Sequence, residues 1–352
     1  MQMPRVLFVL KRRADYGVDP HAYSQQGMST GLLNSATFMK DMLIANGFGA
    51  KIAVVVDNNC IDREVTEYKP THVIIEALWV VPSKFDVLTK LHPTVQWIVR
   101  YHSDAPFLAG EGVAMEWTVE YLKRANVTLG INAPRLLNEL REVADAMGIC
   151  NVHQRIVYLP NFYPHRPITV GRCTNPDTIK VGCFGAVRPL KNQFLQAIAA
   201  IKFAKDRNVG LEFHINGNRT EGKGENALKN MRSLFAGLGE RYKLVEHDWM
   251  PHTELLKLMA TMDIGMQVSF SETFNIVAAD MITAGVPVVG SAEIPWLKHG
   301  VADPTSSDEI AHKLHMAHTF KCFNIVRNTL ALRAYTQSSE RSWITYLMHR
   351  AA

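Results

Sequence analysis

The sequence predicts an α/β protein of two doubly wound domains, each a parallel sheet with helices on both faces. Three observations carry that reading. Short β-rich runs, apolar on both faces, alternate with longer amphipathic stretches along the chain, as in a parallel sheet covered on both sides. A polar, proline-rich stretch interrupts the alternation near the middle. The length of 352 residues exceeds one ordinary core and fits about two domains.

In the first half Val6–Leu10, Lys51–Val56, His72–Glu76, Val95–Arg100, Val127–Ile131 and Ile156–Leu159 read as strands. Between the first two, Thr30–Asn46 carries Leu32, Leu33, Ala36, Met39, Met42 and Leu43 at helical spacing. The run Pro160-Asn161-Phe162-Tyr163-Pro164-His165-Arg166-Pro167, continued through Thr174-Asn175-Pro176-Asp177, holds four prolines. Proline fixes φ and lacks a donor, so neither a helix nor an inner strand passes through it. Residues 1–160 are therefore expected to form an N-terminal domain, 161–178 a linker and 179–336 a C-terminal domain. In the second half Ile179–Gly185, Leu211–Asn216, Lys243–Glu246, Ile264–Val268 and Val286–Gly290 read as strands. Helical stretches Asp308–Phe320 and Ser339–Arg350 close the chain, the last (residues 337–352) packing back on the first domain. Two such domains joined by a hinge are expected to face each other across a cleft, with ligands at the C-terminal ends of the strands.

Composition narrows the class. At 47% hydrophobic and 20% charged residues the chain matches soluble globular proteins, and no run approaches the ~18 apolar residues of a membrane helix. Met1-Gln2-Met3-Pro4 leads into a strand without a signal-peptide pattern. The five cysteines are scattered and never spaced as CxxC, which points to free thiols, a reducing compartment and a cytoplasmic protein. A formal charge of +5 permits an anionic partner without demanding one.

Two segments of the second half carry chemistry. In Cys183-Phe184-Gly185-Ala186-Val187-Arg188-Pro189-Leu190-Lys191-Asn192-Gln193 a strand ends at Gly185, a turn holds Arg188 and Lys191, and a helix begins near Asn192. Two cations beside the unpaired N–H groups of a helix N-terminus suit a pyrophosphate; the plain alternative is a solvated basic turn. In Ser269-Phe270-Ser271-Glu272-Thr273-Phe274-Asn275-Ile276-Val277-Ala278-Ala279-Asp280, Glu272 precedes a helix and Asp280 follows it by eight residues. Taken singly, Glu272 reads as a helix cap, worth about 1 kcal/mol, and Asp280 as an exposed helix acid.

Together the two acids resemble the E-x7-E motif of retaining glycosyltransferases of the GT-B fold. Ala284-Gly285-Val286-Pro287-Val288-Val289 resembles that family's A-x-G-x-P-V-V pattern. The likeness covers nearly the whole second half. Gly185 and Lys191 fall at the family's glycine and pyrophosphate lysine, and Ile215-Asn216-Gly217-Asn218 at its glycine loop. His247-Asp248-Trp249-Met250-Pro251, then Glu254-Leu255-Leu256, falls at its base-binding loop and the helix behind it. In the first half the likeness is thinner: Gly27-Met28-Ser29-Thr30-Gly31 at a Gly-rich loop, Arg100-Tyr101-His102-Ser103-Asp104 at a histidine after a strand, and Leu159-Pro160-Asn161 entering the linker.

The resemblance implies two Rossmann-like domains and a nucleotide-diphosphate sugar as donor, with no separate cofactor. It also implies retention of anomeric configuration. Glu272 would hold the sugar hydroxyls and Asp280 the ribose diol. Lys191, with amides near Phe274 and Asn275, would hold the distal phosphate. His102 would lie near the sugar, and Trp249 at the base. Glu272, His102, Lys191 and Arg188 are thus the candidate catalytic groups, and Gly185 and Asn216 complete the donor site. With two cations in place, and no D-x-D anywhere in the chain, catalysis is expected without a metal. Three departures stand out: the second acid is Asp280, one methylene shorter; Ala186 replaces the family's arginine, leaving Arg188 to serve; and Thr273 and Asn275 flank Phe274 in place of small residues.

The acceptor end is less determined. Lys11-Arg12-Arg13 follows the first strand and is either solvated surface or a grip on a phosphate-bearing acceptor: nucleic acid, phospholipid or sugar phosphate. Gly27, Ser29 and Thr30 join it on that side. Glu76-Ala77-Leu78-Trp79-Val80-Val81-Pro82 resembles glycosyltransferases of tailed bacteriophages, which implies DNA as partner and a hydroxymethylated pyrimidine as acceptor. The competing readings are a lipid or saccharide acceptor, and a non-catalytic nucleotide-sugar binder, which the acid pair and cations argue against. His312, His315 and His318 share a helix face but lack a fourth ligand, so they read as surface rather than zinc site. Trp79, Trp97 and Trp296 read as packing residues, in a core or near the cleft.

Overall fold

All eleven strands expected from the sequence form, in two sheets that are parallel throughout. The structure, a computed structural model, describes residues 3–12, 30–164, 175 and 177–349. The chain divides into two units, Met1–Pro164 with Thr336–Ala352, and His165–Tyr335.

The first unit holds β1 (Arg5–Lys11), β2 (Gly49–Val55), β3 (His72–Glu76), β4 (Gln96–Tyr101), β5 (Val127–Ile131) and β6 (Ile156–Tyr158), in the order β2-β1-β3-β4-β5-β6. Its connecting helices are α1 (Thr30–Ala45), α2 (Ile61–Tyr68), α3 (Lys84–Leu91), α4 (Ala105–Leu108), α5 (Ala114–Leu122), α6 (Pro134–Ala146) and α7 (Val152–Arg155). Successive side chains of a strand point to opposite faces, and here both faces are buried. Val6 and Phe8 join Met39, Leu43, Ile74 and Ile98 in one core, while Leu7 and Val9 join Ile75, Trp97 and Val99 in the other. That is why these strands read as unbroken apolar runs.

The second unit holds β7 (Thr178–Gly182), β8 (Gly210–Ile215), β9 (Tyr242–Glu246), β10 (Ile264–Gln267) and β11 (Val288–Gly290), in the order β11-β10-β7-β8-β9. Its helices are α8 (Gln193–Asp206), α9 (Gly224–Ala236), α10 (His252–Met259), α11 (Ile276–Thr283) and α12 (Ser307–Thr319). The order runs outward from β7 in both directions, so the loops after β7 and β10 diverge at the topological switch point, where doubly wound sheets bind ligands. Those two loops are the chemistry-bearing segments of the sequence. Two glycines let α11 sit close on the sheet there. A Cβ on Gly265 would lie 1.9 Å from Met281 Sδ, and one on Gly182 would crowd Phe184, Met262 and Met281.

The last helix departs from expectation. Instead of a separate element over Ser339–Arg350, α13 runs unbroken from Lys321 to His349. Its first half conceals its inward face. Asn324 and Asn328 are buried: Asn324 clasps the backbone of Val288 (2.9 Å from Val288 N–H, 3.0 Å to its carbonyl), and Asn328 binds the backbone at Lys298 and His299. Phe323, Val326 and Leu330 are exposed. Apolar periodicity therefore marks the outward face there. Further on, Trp343 and Leu347 enter the first unit's core with Phe8 and Ile98.

Candidate active site

In the second unit β7 ends at Gly182, and the chain turns at Gly185, whose φ of +105° favours glycine. Gly185 N–H donates to Asn216 Oδ1 at 2.9 Å, joining the loops after β7 and β8. A short 3-10 turn, Pro189–Lys191, leads through Asn192 (φ +57°) into α8. The turn is strapped to the loop after β10: Phe270 N–H donates to Leu190 C=O at 2.9 Å, and Asn192 Nδ2 to Val268 C=O at 3.1 Å.

This places Lys191 Nζ directly on Glu272 Oε1. Both side chains are nearly enclosed, at 14% and 8% exposure. Burial pushes the Lys191 ammonium below its ordinary range; Glu272 pulls it back up, and Arg188 pushes it further down. Glu272 also accepts from Asn275 Nδ2 at 2.9 Å, and the same amide lies 3.0 Å from Gln267 Oε1. Gln267 in turn donates to Phe184 C=O at 3.0 Å. Asn275 sits at φ +61° and caps α11, its Oδ1 accepting from Ala278 N–H at 2.9 Å. Thus the cap of α11 belongs to Asn275 rather than Glu272, whose carboxylate is held at the mouth of the helix beside a lysine. First-turn N–H groups of a helix have no partner within it, so cation, carboxylate and helix N-terminus converge.

The remaining residues expected at the donor site fall into two groups. Arg188 lies near Lys191 and donates to Glu221 Oε2 at 3.4 Å; Glu221 also receives Arg219 Nη2 at 2.6 Å. The Arg219 guanidinium stacks 4.2 Å over the half-buried Trp249 ring. Asn218 Nδ2 donates to Asp248 Oδ1 at 3.0 Å, tying the loops after β8 and β9. Asp280 is 2% exposed, so it is no ordinary surface acid, and its Oδ1 lies 2.9 Å from His252 Nε2. Phe274 points inward, its ring against Trp296 and Tyr335 and its carbonyl accepting from Trp296 Nε1 at 2.7 Å. Asn216 is 1% exposed. Both therefore shape the site as framework.

The first unit has its own polar cluster, at the C-terminal end of its sheet. Glu76 closes β3 and is fully buried; Arg100, also fully buried, bonds it from β4 at 3.2 Å. Arg100 reaches both Glu76 oxygens, and His102 Nε2 contacts Oε2 as well. Burial alone raises the Glu76 carboxyl, but Arg100 and His102 outweigh it and hold the pKa below the ordinary range. For His102 burial dominates and lowers the pKa, against the pull of Glu76. Arg100 also donates to Leu159 C=O, Pro160 C=O and Asn161 Oδ1, and Ser35 Oγ lies 3.2 Å from that Asn161 oxygen. Ala77 follows at φ +72°, a conformation that costs a non-glycine residue about 1–3 kcal/mol and gathers at functional sites. Trp79 Nε1 donates back to Glu76 C=O at 3.1 Å, fixing this turn.

Lys11 ends β1 and Arg12 follows it; both are exposed beside the β1/β3 switch point. Arg13, Gly27 and Ser29 lie outside the described residues, as does the side chain of Thr30. His315 and His318 edge onto Phe203 and His312 faces solvent. Among the described residues no three metal-ligand side chains converge, and no helix is long and apolar enough to cross a membrane. Trp97 and Trp296 are core residues, each 1% exposed.

Four residues that contact the candidate groups carry little signal in the sequence. Glu221 and Arg219 lie in a loop without motif; His252 stands at an unremarkable helix start; and Gln267 is a lone polar residue ending an apolar strand, the one signal a reader could have used.

Residues 178–317 match the family described as Glycosyl transferases group 1. No curated protein matches the sequence. Among solved structures the fold is similar to a UDP-forming α,α-trehalose-phosphate synthase from Burkholderia vietnamiensis, at TM-score 0.69 and 11% identity over 100% of this chain and 98% of that one. It is also similar to sucrose-phosphate synthase from Thermosynechococcus elongatus, at TM-score 0.62 and 13% identity over 99% and 97% of the two chains. A third likeness is the E. coli trehalose-6-phosphate structure bound with UDP-2-fluoro glucose, at TM-score 0.66 and 10% identity over 97% and 98%. These identities speak to the fold, which is GT-B. The family match, over residues 178–317 of the second unit, supports a glycosyltransferase enzyme.

Proposed function

We propose that this glycosyltransferase moves a sugar from a nucleotide-diphosphate sugar to an acceptor hydroxyl, with retention and without a metal. The observation that carries the donor reading is the convergence of Lys191, Glu272 and the N-terminus of α11 at the β7/β10 switch point. As the bond from the sugar's anomeric carbon to the diphosphate breaks, charge collects on the leaving phosphate. Lys191, Arg188 and the first-turn amides of α11 stabilise it, each preorganised donor contributing about 3–4 kcal/mol. Glu272 holds the sugar hydroxyls, and the acceptor oxygen bonds to the anomeric carbon from the leaving-group face, its proton passing to the departing phosphate oxygen. Trp249 and Asp280 serve the base and ribose. In the first unit His102, held by Glu76, is the candidate catalytic group.

For the acceptor we propose a saccharide, sugar phosphates included. The similar structures are named for trehalose-phosphate and sucrose-phosphate synthesis, and the exposed Lys11 and Arg12 suit a phosphate. The hydroxymethylated pyrimidine in DNA finds no support in those matches. It rests on the resemblance over Glu76–Pro82 and on the basic run Lys11-Arg12-Arg13.

A thermal-shift series against UDP-, GDP- and ADP-sugars tests the donor reading, because a ligand of the folded state raises the melting temperature with concentration. A rise with at least one of them is expected, and a flat response to all would sink the reading.

A further inference from the structure

The proposed function gives Asp280 the nucleotide's ribose, yet its carboxylate is 2% exposed and already engaged by His252 Nε2 at 2.9 Å. A ligand hydroxyl seeking that oxygen competes with the imidazole for it. The His252 side chain is 22% exposed, and it opens α10 directly after the loop that carries Trp249. We infer that the ribose hydroxyl is bound by the imidazole of His252, with Asp280 as the buried carboxylate that orients the ring. The inference rests on the nucleotide-sugar reading above.

The geometry follows from chain length. Asp280 lies five residues beyond the α11 cap at Asn275, about 7.5 Å along the axis at 1.5 Å per residue. The phosphate end of the site is at that cap, with Lys191 and Glu272. The nucleoside end of a diphosphate therefore extends along α11 toward α10 and the Arg219–Trp249 stack. Aspartate is one methylene shorter than the glutamate of the E-x7-E pattern, and the imidazole spans the missing reach.

The chemistry is that of an oriented histidine. A ring whose Nε2–H donates to a carboxylate presents Nδ1, an acceptor when the ring is neutral and a donor when it is charged. A ribose hydroxyl both donates and accepts, so it satisfies either form. The carboxylate behind the ring fixes its orientation, much as carboxylates orient metal-bound histidines. His252 is then a binding residue and Asp280 a positioning residue.

Titration calorimetry of the full chain tests this. UDP, ADP and GDP identify the preferred ribonucleoside diphosphate, which is then compared with its 2′-deoxy and 3′-deoxy analogues. The parent is expected to lose about tenfold in affinity for at least one analogue, the cost of one unmade hydrogen bond in an enclosed site. His252→Ala should bring that ratio to within about twofold of unity by removing the bond. His252→Gln, which keeps a hydrogen-bonding group and guards against a folding defect, should retain part of it. Asp280→Asn should lower the ratio too, an effect that loss of stability alone does not produce. A full ribose preference in both His252 variants overturns the inference, as does a parent indifferent to both deoxy analogues. Failure of every nucleoside diphosphate to bind the parent removes the nucleotide-sugar reading along with it.

Discussion

The ammonium of Lys191 and the carboxylate of Glu272 contact each other, though they lie on loops that follow different strands. The pairing is a consequence of sheet order: β7 and β10 are neighbours, with Gly182 opposite Gly265, so the loops that leave them start side by side. With both groups nearly enclosed, each neutralises the other until a ligand brings its own charge and hydroxyls. On the proposed function, binding a nucleotide sugar exchanges one strong contact for two, phosphate on Lys191 and sugar on Glu272.

Lys191→Ala should lower turnover by about 10²–10³-fold, as expected for loss of one preorganised transition-state donor, with the fold retained by circular dichroism. Arg188→Ala should act in the same direction. Steady-state kinetics check both, and turnover of Lys191→Ala within a few-fold of the parent contradicts the assignment. Excess chelator should leave the parent's turnover unchanged; strict magnesium or manganese dependence would falsify the metal-free mechanism.

Glu272→Gln should weaken the nucleotide sugar more than the bare nucleoside diphosphate, because its carboxylate is proposed to hold the sugar hydroxyls. Asp280→Asn should weaken both, because its effect passes through His252 to the ribose. Calorimetric titration of each variant with both ligands decides; equal losses of bare-diphosphate affinity in the two variants argue against this division.

Glu76→Gln should destabilise the first unit by about 3–5 kcal/mol, the usual result of leaving one member of a buried ion pair uncompensated. Arg100 has no exposure through which water could replace the lost charge. Chemical denaturation measures the change, and a loss below about 1 kcal/mol, the scale of a surface pair, contradicts it.

In the second unit His214 Nδ1 lies 2.8 Å from His247 Nε2, a hydrogen bond between two nearly coplanar rings, and burial, with His247 beside it, lowers the His214 pKa to about 4. In the unfolded chain it titrates near ~6.5. The fold therefore binds fewer protons than the unfolded chain between these values. His214 contributes stability that is complete above about pH 6.5 and is lost as pH falls toward 4. His214→Phe keeps a ring without the titration, so its melting temperature should fall less steeply than the parent's between those pH values. Parallel curves contradict the prediction.

The fold class was legible because strands buried on both faces leave an unmistakable apolar signature, and Val6–Leu10 or Val127–Ile131 needed no tertiary information. The partners of the acids were not. Motif spacing marked Glu272 and Asp280, but which side chain each meets depends on sheet order and on α10, which sequence spacing does not encode. Asn324 and Asn328 mark the limit of periodicity. Buried polar residues that satisfy backbone groups invert the pattern, so the first half of α13 went unread. At Ala77, too, a left-handed backbone at a residue other than glycine leaves no mark in the sequence.

The central claim is that the Lys191–Glu272 site consumes a nucleotide sugar. Mass spectrometry of the full chain incubated with UDP-, GDP- and ADP-hexoses tests it most directly, with a panel of hexose phosphates and hydroxymethylated DNA as acceptors. The account predicts release of a nucleoside diphosphate matched by one sugar added to a hexose phosphate, and loss of both products in Lys191→Ala. Transfer to the DNA alone would keep the donor site and replace the acceptor. Intact donors in every mixture would contradict the account.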